Sequence, residues 1–407
     1  MTDSARPPFL PKWLLLLALL TAIGPLSIDM YLPSFPLIAQ SLGSHPASVQ
    51  LTLAVFLVGM ASGQLVYGPL SDCYGRKPPL YAGLALYIVA SIACAKADSL
   101  EILMVARFFQ ALGGSAGVVI SRAVIRDRTS VEEGARAFSL IMLVMGAAPI
   151  LAPLLGGILL PVIGWRGLFY VLVAVAVFAL IAMHVSMQET MPRTVPARAR
   201  LRGILRDYRE LLCDRRMISC AMTGAFNYGG MFSYIAGSPY VFIELFGVAP
   251  QHFGWLFGLN AFGFILASQL NARLVMRLGA GRLLRRIIWV PVAAALLALL
   301  PILLGVYSLP LLMLSLFVYM STMGFVAPNA MALALAEQGQ RAGAASALIG
   351  TLQFLIGTLG GVTVSLWHAP SALPLAAAMV FFACGGWLVH RFGVEPIVAS
   401  GAPPLRS

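Results

Sequence analysis

Apolar runs of about twenty residues alternate with short polar stretches along the whole chain. Twelve runs stand out, at 13–34, 50–70, 79–96, 101–121, 137–161, 166–187, 217–242, 252–272, 284–304, 309–331, 343–366 and 371–390. About twenty apolar residues are what an α-helix needs to cross a bilayer core. The runs do not alternate between apolar and polar positions, so they read as helices rather than as strands of a membrane barrel. The pattern therefore predicts an all-α membrane protein with twelve transmembrane helices. The spans divide six and six around 188–216, the longest polar stretch. This predicts an N-terminal six-helix bundle over 1–187, a basic linker over 188–216 and a C-terminal six-helix bundle over 217–407. Within the linker, Leu201 to Arg216 has the pattern of an amphipathic helix lying on the membrane surface. The favoured reading is nonetheless a solvated basic linker that fixes topology, with no specific lipid-binding role.

Composition agrees with this picture. The 407 residues are 60% hydrophobic and only 10% charged, against about 25% charged in a soluble domain. A soluble fold of this make-up would have too little polar surface. The net charge of +12 does not indicate a nucleic-acid partner, because the basic residues lie between the spans. With both termini in the cytoplasm, 24 of the 27 Lys and Arg residues fall on the inner side, as the positive-inside rule requires. The expected location is a bacterial inner membrane, crossed many times. Five cysteines form no CxxC or Cys/His cluster, which argues against a disulfide framework or structural zinc. The apolar start lacks a small-residue cleavage site before Pro25 and reads as a retained first helix. No phosphate-binding loop is present, which excludes ATP-driven transport by this chain alone. A membrane enzyme would need His, Asp, Glu or Cys clustered on one membrane face, and the pattern provides none.

One carboxylate breaks the apolar pattern. Asp29 lies near the far end of the first span, in Ile28-Asp29-Met30-Tyr31-Leu32-Pro33. Charge at that depth costs roughly 3 kcal/mol unless it is paired, protonated or facing water, so its default reading is functional. Sixteen residues of helix put Asp29 about 24 Å above Trp13. Arg107 in span four, six residues after Glu101, lies about 9 Å down from the opposite surface. Both fall in the outer half of the membrane, and a contact between them is expected. Gln110 shares the helix face of Arg107. Arginine keeps its proton, so Arg107 needs a carboxylate, carbonyls or water.

Three further motifs give the chain a family resemblance. After span two the sequence reads Gly68-Pro-Leu-Ser-Asp72-Cys73-Tyr74-Gly75-Arg76-Lys77. It resembles the loop signature of the major facilitator superfamily, with Cys73 where a basic residue is usual. A weaker echo, Arg277-Leu-Gly279 followed by Arg282, occupies the matching place in the second half. Span four, with Arg107, Gln110, Gly113 and Gly114, resembles the family's second signature. Span five, with Gly146, Pro149, Pro153, Gly156 and Gly157, resembles the signature of its antiporters, although Ala152 replaces a usual glycine. Leu26-Ser-Ile-Asp29-Met-Tyr31-Leu-Pro33 and the span-seven run from Gly230 to Glu244 are similar to the bicyclomycin and chloramphenicol resistance branch of drug:proton antiporters.

The resemblance implies two pseudo-symmetric six-helix bundles and proton-driven export of small drugs, bicyclomycin-like or chloramphenicol-like. It implies partners limited to drug, protons and lipids, no cofactor beyond the proton gradient, and a functional monomer. Gly68, Asp72, Gly75, Arg76 and Lys77 would latch the halves on the cytoplasmic side when the transporter faces outward. Asp29, Arg107 and Gln110 would couple the proton, with protonation releasing Asp29 from Arg107 or Gln110. Substrate is expected between the halves near the midplane, against Tyr31, Met142, Met145, Phe226, Asn227, Phe232, Tyr234, Tyr240, Asn329, Gln353 and Phe354. Export of a native metabolite, such as a small peptide or amino-acid derivative, is the alternative. Glu244 reads either as an interfacial helix end or as a second proton carrier. His184, His368 and His390 stand near span ends with no obvious partner.

Overall fold

A computed structural model describes residues 12–129, 131–190, 197–367 and 371–395. The described chain is helical, without strands. The first six helices are α1 (Lys12–Asp29), α2 (Phe35–Ser41), α3 (Pro46–Tyr74), α4 (Lys77–Ala95), α5 (Leu100–Arg128) and α6 (Val131–Ser186). After α7 (Ala197–Cys213) come α8 (Arg215–Pro239), α9 (Pro250–Leu278), α10 (Ala280–Ile287), α11 (Val290–Leu303), α12 (Leu309–Leu335), α13 (Ala342–Leu366) and α14 (Leu373–Val389).

Among the described residues, ten helical stretches are long and apolar enough to cross a membrane. Two features separate this number from the twelve spans of the sequence pattern. The long helix α6 holds two spans, joined at Gly164, whose φ of 66° breaks the helix and suits a residue without Cβ. Helix α8 is long enough, but Arg215, Arg216, Thr223, Asn227 and Ser233 make it more polar than its neighbours. The first span is also not one helix. Helix α1 stops at Asp29, a 3-10 turn runs over Leu32–Ser34, and α2 follows. Pro33 and Pro36 carry no N–H to continue an α-helical ladder.

Helices α1 and α3 to α6 pack on one another, and α8, α9 and α11 to α14 form a second group. Two seams join the groups, α3 against α13 and α6 against α9. We call the end holding Arg76, α7 and Arg282 the basic end, and the other the far end. At the far end α2 touches the π-helical turn Tyr240–Leu245, and the 3-10 turn touches α9. At the basic end α7 packs on α3, α8 and α13 and so bridges both groups. Large apolar side chains such as Val162, Phe178, Val185, Leu304 and Phe381 stay exposed, as surfaces facing lipid do.

Candidate functional site

Arg107 is fully buried, and its socket lies inside the first group of helices. Its Nη1 donates to Gln110 Oε1 at 2.5 Å and its Nη2 to the Ser27 carbonyl at 2.9 Å. The guanidinium carbon lies 4.2 Å from the Tyr31 ring centre and 4.1 Å from that of Phe56, where the ring quadrupoles attract a cation. Gln110 Nε2 donates onward to Ser91 Oγ at 2.8 Å, and Tyr31 and Thr52 share a 3.0 Å hydroxyl contact.

Asp29 is not part of this socket. The expected contact with Arg107 is absent, and no ion pair to Asp29 occurs among the described residues. The reason is helical geometry. Ser27 near the end of α1 and Tyr31 in the turn that follows it, four residues on, both meet Arg107. Asp29 is two residues from each, about 200° around the helix. It is 3% exposed and its Oδ1 has no hydrogen-bond partner. Its electrostatic neighbour is Tyr234 on α8, in the second group. Tyr234 accepts a hydrogen bond from Asn260 Nδ2 at 2.9 Å.

Small residues make the seams around Asp29. A Cβ on Gly156 would stand 1.9 Å from the Met30 carbonyl, next to Asp29. A Cβ on Gly157 would stand 3.0 Å from the Pro250 carbonyl across the seam. Gly146 faces Ile265 in the same way. Helix α6 passes through Pro149 and Pro153 between these contacts. Across the other seam, Thr351 and Thr358 reach the carbonyls of Ala61 and Ala54, each at 3.4 Å. Ser365 Oγ donates to the Gly361 carbonyl at 2.8 Å and lies 3.3 Å from Gln50 Oε1.

The expected substrate residues divide. Phe232 and Phe354 face each other along α8 and α13, with ring centres 6.2 Å apart. Gln353 is half-buried close to Gly224 of α8. Asn227 is buried with its Oδ1 unpaired, and Met145 is half-buried. The others are held elsewhere. Tyr31 belongs to the Arg107 socket. Phe226 fills the space left by Gly385 and meets Phe382 within the second group. Tyr234 stacks on Phe257 at 5.3 Å. Asn329 donates to Asn271 Oδ1 at 2.7 Å and to the Phe325 carbonyl. Tyr240 lines a separate cavity at the far end. The side chain of Met142 and all of His368 lie outside the described residues.

Two residues missing from the sequence reading join the Phe232–Phe354 pair. Tyr228 continues the ladder, 6.3 Å from Phe232. Arg122 of α5 is the electrostatic neighbour of Tyr228 and forms no ion pair among the described residues. In the sequence Arg122 reads as one more basic residue of an inner segment. Only its facing a tyrosine of the other group distinguishes it.

The comparisons with known proteins support this architecture. The model of the Major Facilitator Superfamily matches residues 17–361. This chain belongs to that superfamily. The uncharacterized MFS-type transporter YdgK of Bacillus subtilis is 38% identical over 93% of this chain and 94% of its own length. The bicyclomycin resistance protein homolog of Haemophilus influenzae is 32% identical over 90% of this chain and 92% of its own length. Among solved structures, a D-xylose-proton symporter shares the fold with a TM-score of 0.76, at 14% identity over 94% of this chain and 97% of its own. The chain is thus a multi-pass membrane transport protein of the Major Facilitator Superfamily, not an enzyme.

The superfamily's loop signature forms a tight ionic cluster. Gly75 has a φ of 92°, a conformation that favours glycine, and its counterpart Gly279 has 75°. Arg76 binds Asp72 at 2.6 Å and Asp127 of α5 at 2.8 Å. Burial works against its charge, but the hydrogen bonds of Asp127 and Asp72 outweigh that and raise its pKa. Glu189 accepts the backbone N–H groups of Arg76 and Lys77 at 2.8 and 3.0 Å, and Lys77 Nζ donates to the Met187 carbonyl. These bonds lie within the first group of helices and residues 187–189. Gly68 does not serve close packing, because a Cβ there would meet open space. Asp127 and Glu189 escaped the sequence reading, since each is one acid in a basic or loop segment.

Helix α7 is fixed at its end. Glu210 accepts from Arg206 at 2.8 Å and from Arg341 of the second group at 2.6 Å. The Arg206 hydrogen bond outweighs desolvation and, with the charges of Arg206 and Arg341, holds its pKa below the usual carboxylate value. Asp214 caps α8 through the N–H groups of Arg216 and Met217, both at 3.0 Å. Two boundary histidines do have partners. His184 Nδ1 lies 2.9 Å from the Tyr81 hydroxyl, and His390 lies 4.0 Å from Glu395.

Proposed function

We propose that the chain exports small drug-like molecules in exchange for protons by alternating access, with its basic end in the cytoplasm. The observation that carries the proposal is Asp29, a carboxyl group buried at the break of the first span, with Oδ1 unpaired and no ion pair among the described residues. Such a group is least costly as the neutral acid. With α2 and the 3-10 turn packed on the second group at the far end, a state we take as closed there, Asp29 therefore holds a proton. Substrate enters from the basic end, reaches the ladder of Tyr228, Phe232 and Phe354, and favours loss of that proton to the cytoplasm. Opening of the far end then releases the substrate and lets Asp29 take up a proton from outside. Arg107 and Gln110 act at one remove, by fixing the face of α1 that leaves Asp29 pointing to the second half. The relative named for bicyclomycin resistance supports a drug as substrate. Protons alone drive the cycle, no cofactor takes part, and one chain suffices.

The unpaired Arg122 beside Tyr228 favours a second reading, a native substrate carrying a carboxylate or carbonyl, such as an amino-acid derivative or small peptide. Glu244, at the far end of span seven, is an interfacial residue in both readings. Drug susceptibility in an efflux-deficient bacterial host tests the proposal. Wild type should raise resistance to bicyclomycin or chloramphenicol, and Asp29→Asn should not, at equal membrane levels. Equal resistance with Asp29→Asn would overturn the role of Asp29, and no resistance with wild type would favour the metabolite reading.

A further inference from the structure

A cavity of about 250 Å³ opens at the far end, above the α3–α13 seam and apart from the aromatic ladder. Its walls come from both halves: His45, Ala47 and Gln50 of the α3 start, Tyr240 after α8, Trp367 after α13, and Ser371 before α14, among others. Three observations mark it as a built site. Gln50 is 3% exposed, its Oε1 has only a 3.3 Å contact with Ser365 Oγ, whose proton goes to the Gly361 carbonyl at 2.8 Å, and its Nε2 has no bonding partner among the described residues. Nε2 is nevertheless not sealed in protein, so its two N–H donors are left to the cavity. Tyr240 opens a π-helical turn over Tyr240–Leu245, a distortion that often re-aims side chains at functional sites. The described lining contains no Asp, Glu, Lys or Arg, which suits an uncharged ligand.

The cavity lies in line with the ladder. Along α13, Phe354 faces Phe232, a Cβ on Gly361 would meet Ala54 and Ala236, and Val364 is a cavity wall. Ten residues of helix separate Phe354 from Val364, about 15 Å. We propose that this cavity is a second substrate site, an outer release vestibule for a small uncharged ligand with a hydrogen-bond acceptor and an aromatic or apolar body. Gln50 Nε2 donates to the acceptor, while Tyr240 and Trp367 cover the body. A volume just under the usual drug-pocket range limits it to small molecules. The proposal rests on the orientation and export direction proposed above, and its test does not depend on turnover.

The test uses the full-length chain in intact cells with Ala47→Cys or Ser371→Cys, one on each wall. A membrane-impermeant maleimide labels the introduced thiol from outside, and the unsubstituted chain is the blank. Chloramphenicol, neutral and rich in acceptors, should slow labelling of both thiols several-fold, and tetraphenylphosphonium should not. Protection should persist when Asp29→Asn is added and disappear when Gln50→Ala is added. No protection at either thiol, equal protection by the cation, loss of protection with Asp29→Asn, or protection that survives Gln50→Ala would each overturn the vestibule. Resistance measured in the same cells reports separately on the export function, so the two ideas fail independently.

Discussion

Gly254→Ala should push the transporter out of the far-end-closed state. A Cβ at this position would stand 2.8 Å from both Cα and N of Leu154, across the α6–α9 seam. These are backbone atoms, so no rotamer change relieves the contact and the helices must separate by several tenths of an ångström. Overpacking of this kind costs about 1–3 kcal/mol. The contact joins the two halves only at the far end, so the cost falls on the closed state alone. It should shift the equilibrium toward far-end opening by roughly 5- to 150-fold. Gly361→Ala is the matched control on the other seam, because its Cβ would meet Ala54 and Ala236 at 3.7 and 3.8 Å, an ordinary contact. Spin labels at Leu37 and Trp255, both exposed at the far end on opposite halves, report the opening by pulsed dipolar spectroscopy. Gly254→Ala should add a longer-distance population and Gly361→Ala should not. An unchanged distribution in Gly254→Ala would refute the reasoning, as would equal shifts in both variants.

Three other outcomes are expected. Gln110→Ala leaves a buried guanidinium N–H without its acceptor, so thermal unfolding in detergent should show a loss of about 1.5–3 kcal/mol, while Gln110→Glu should lose less. Arg122→Gln should weaken export of carboxylate-bearing substrates in vesicle uptake assays and leave export of neutral chloramphenicol nearly unchanged. The Glu210 bonds to Arg206 and Arg341 should tie α7 down at neutral pH. The folded-state pKa of Glu210 is lowered, so this stabilisation is complete above the usual glutamate value of about 4.3. It is lost only as the pH falls through the lower folded value. The protection factors of the α7 amides, exchange corrected for the intrinsic rate at each pH, should therefore be alike at pH 7 and pH 5 and fall below about pH 4.

The spans were legible because each one has to satisfy the membrane by itself. Twenty apolar residues are a local property, and so is the charge between them. The break after Asp29 was written in Pro33 and Pro36, but it became visible only as a turn of the backbone. Polar α8 shows the same lesson in reverse, since its length and place in the order identify it better than its hydropathy. The site was legible in parts. Asp29 and Arg107 announced themselves as expensive charges at matching depth. Depth along two helices does not give the angle around either, and that angle separates Asp29 from the face shared by Ser27 and Tyr31. Phe226 and Tyr228 differ by two positions on one helix, and only packing against Phe382 or Phe232 tells which one faces the seam. Glu189 binds Arg76 across more than a hundred residues, a pairing with no local signature.

The central claim is that Asp29 carries the proton. The most direct measurement uses proteoliposomes with a fixed pH gradient, reading drug efflux and proton flux together for wild type and Asp29→Asn. Wild type should exchange drug for protons, and Asp29→Asn should insert normally yet move no proton and lose gradient-driven efflux. Drug-coupled proton flux that persists at the wild-type rate in Asp29→Asn would contradict it.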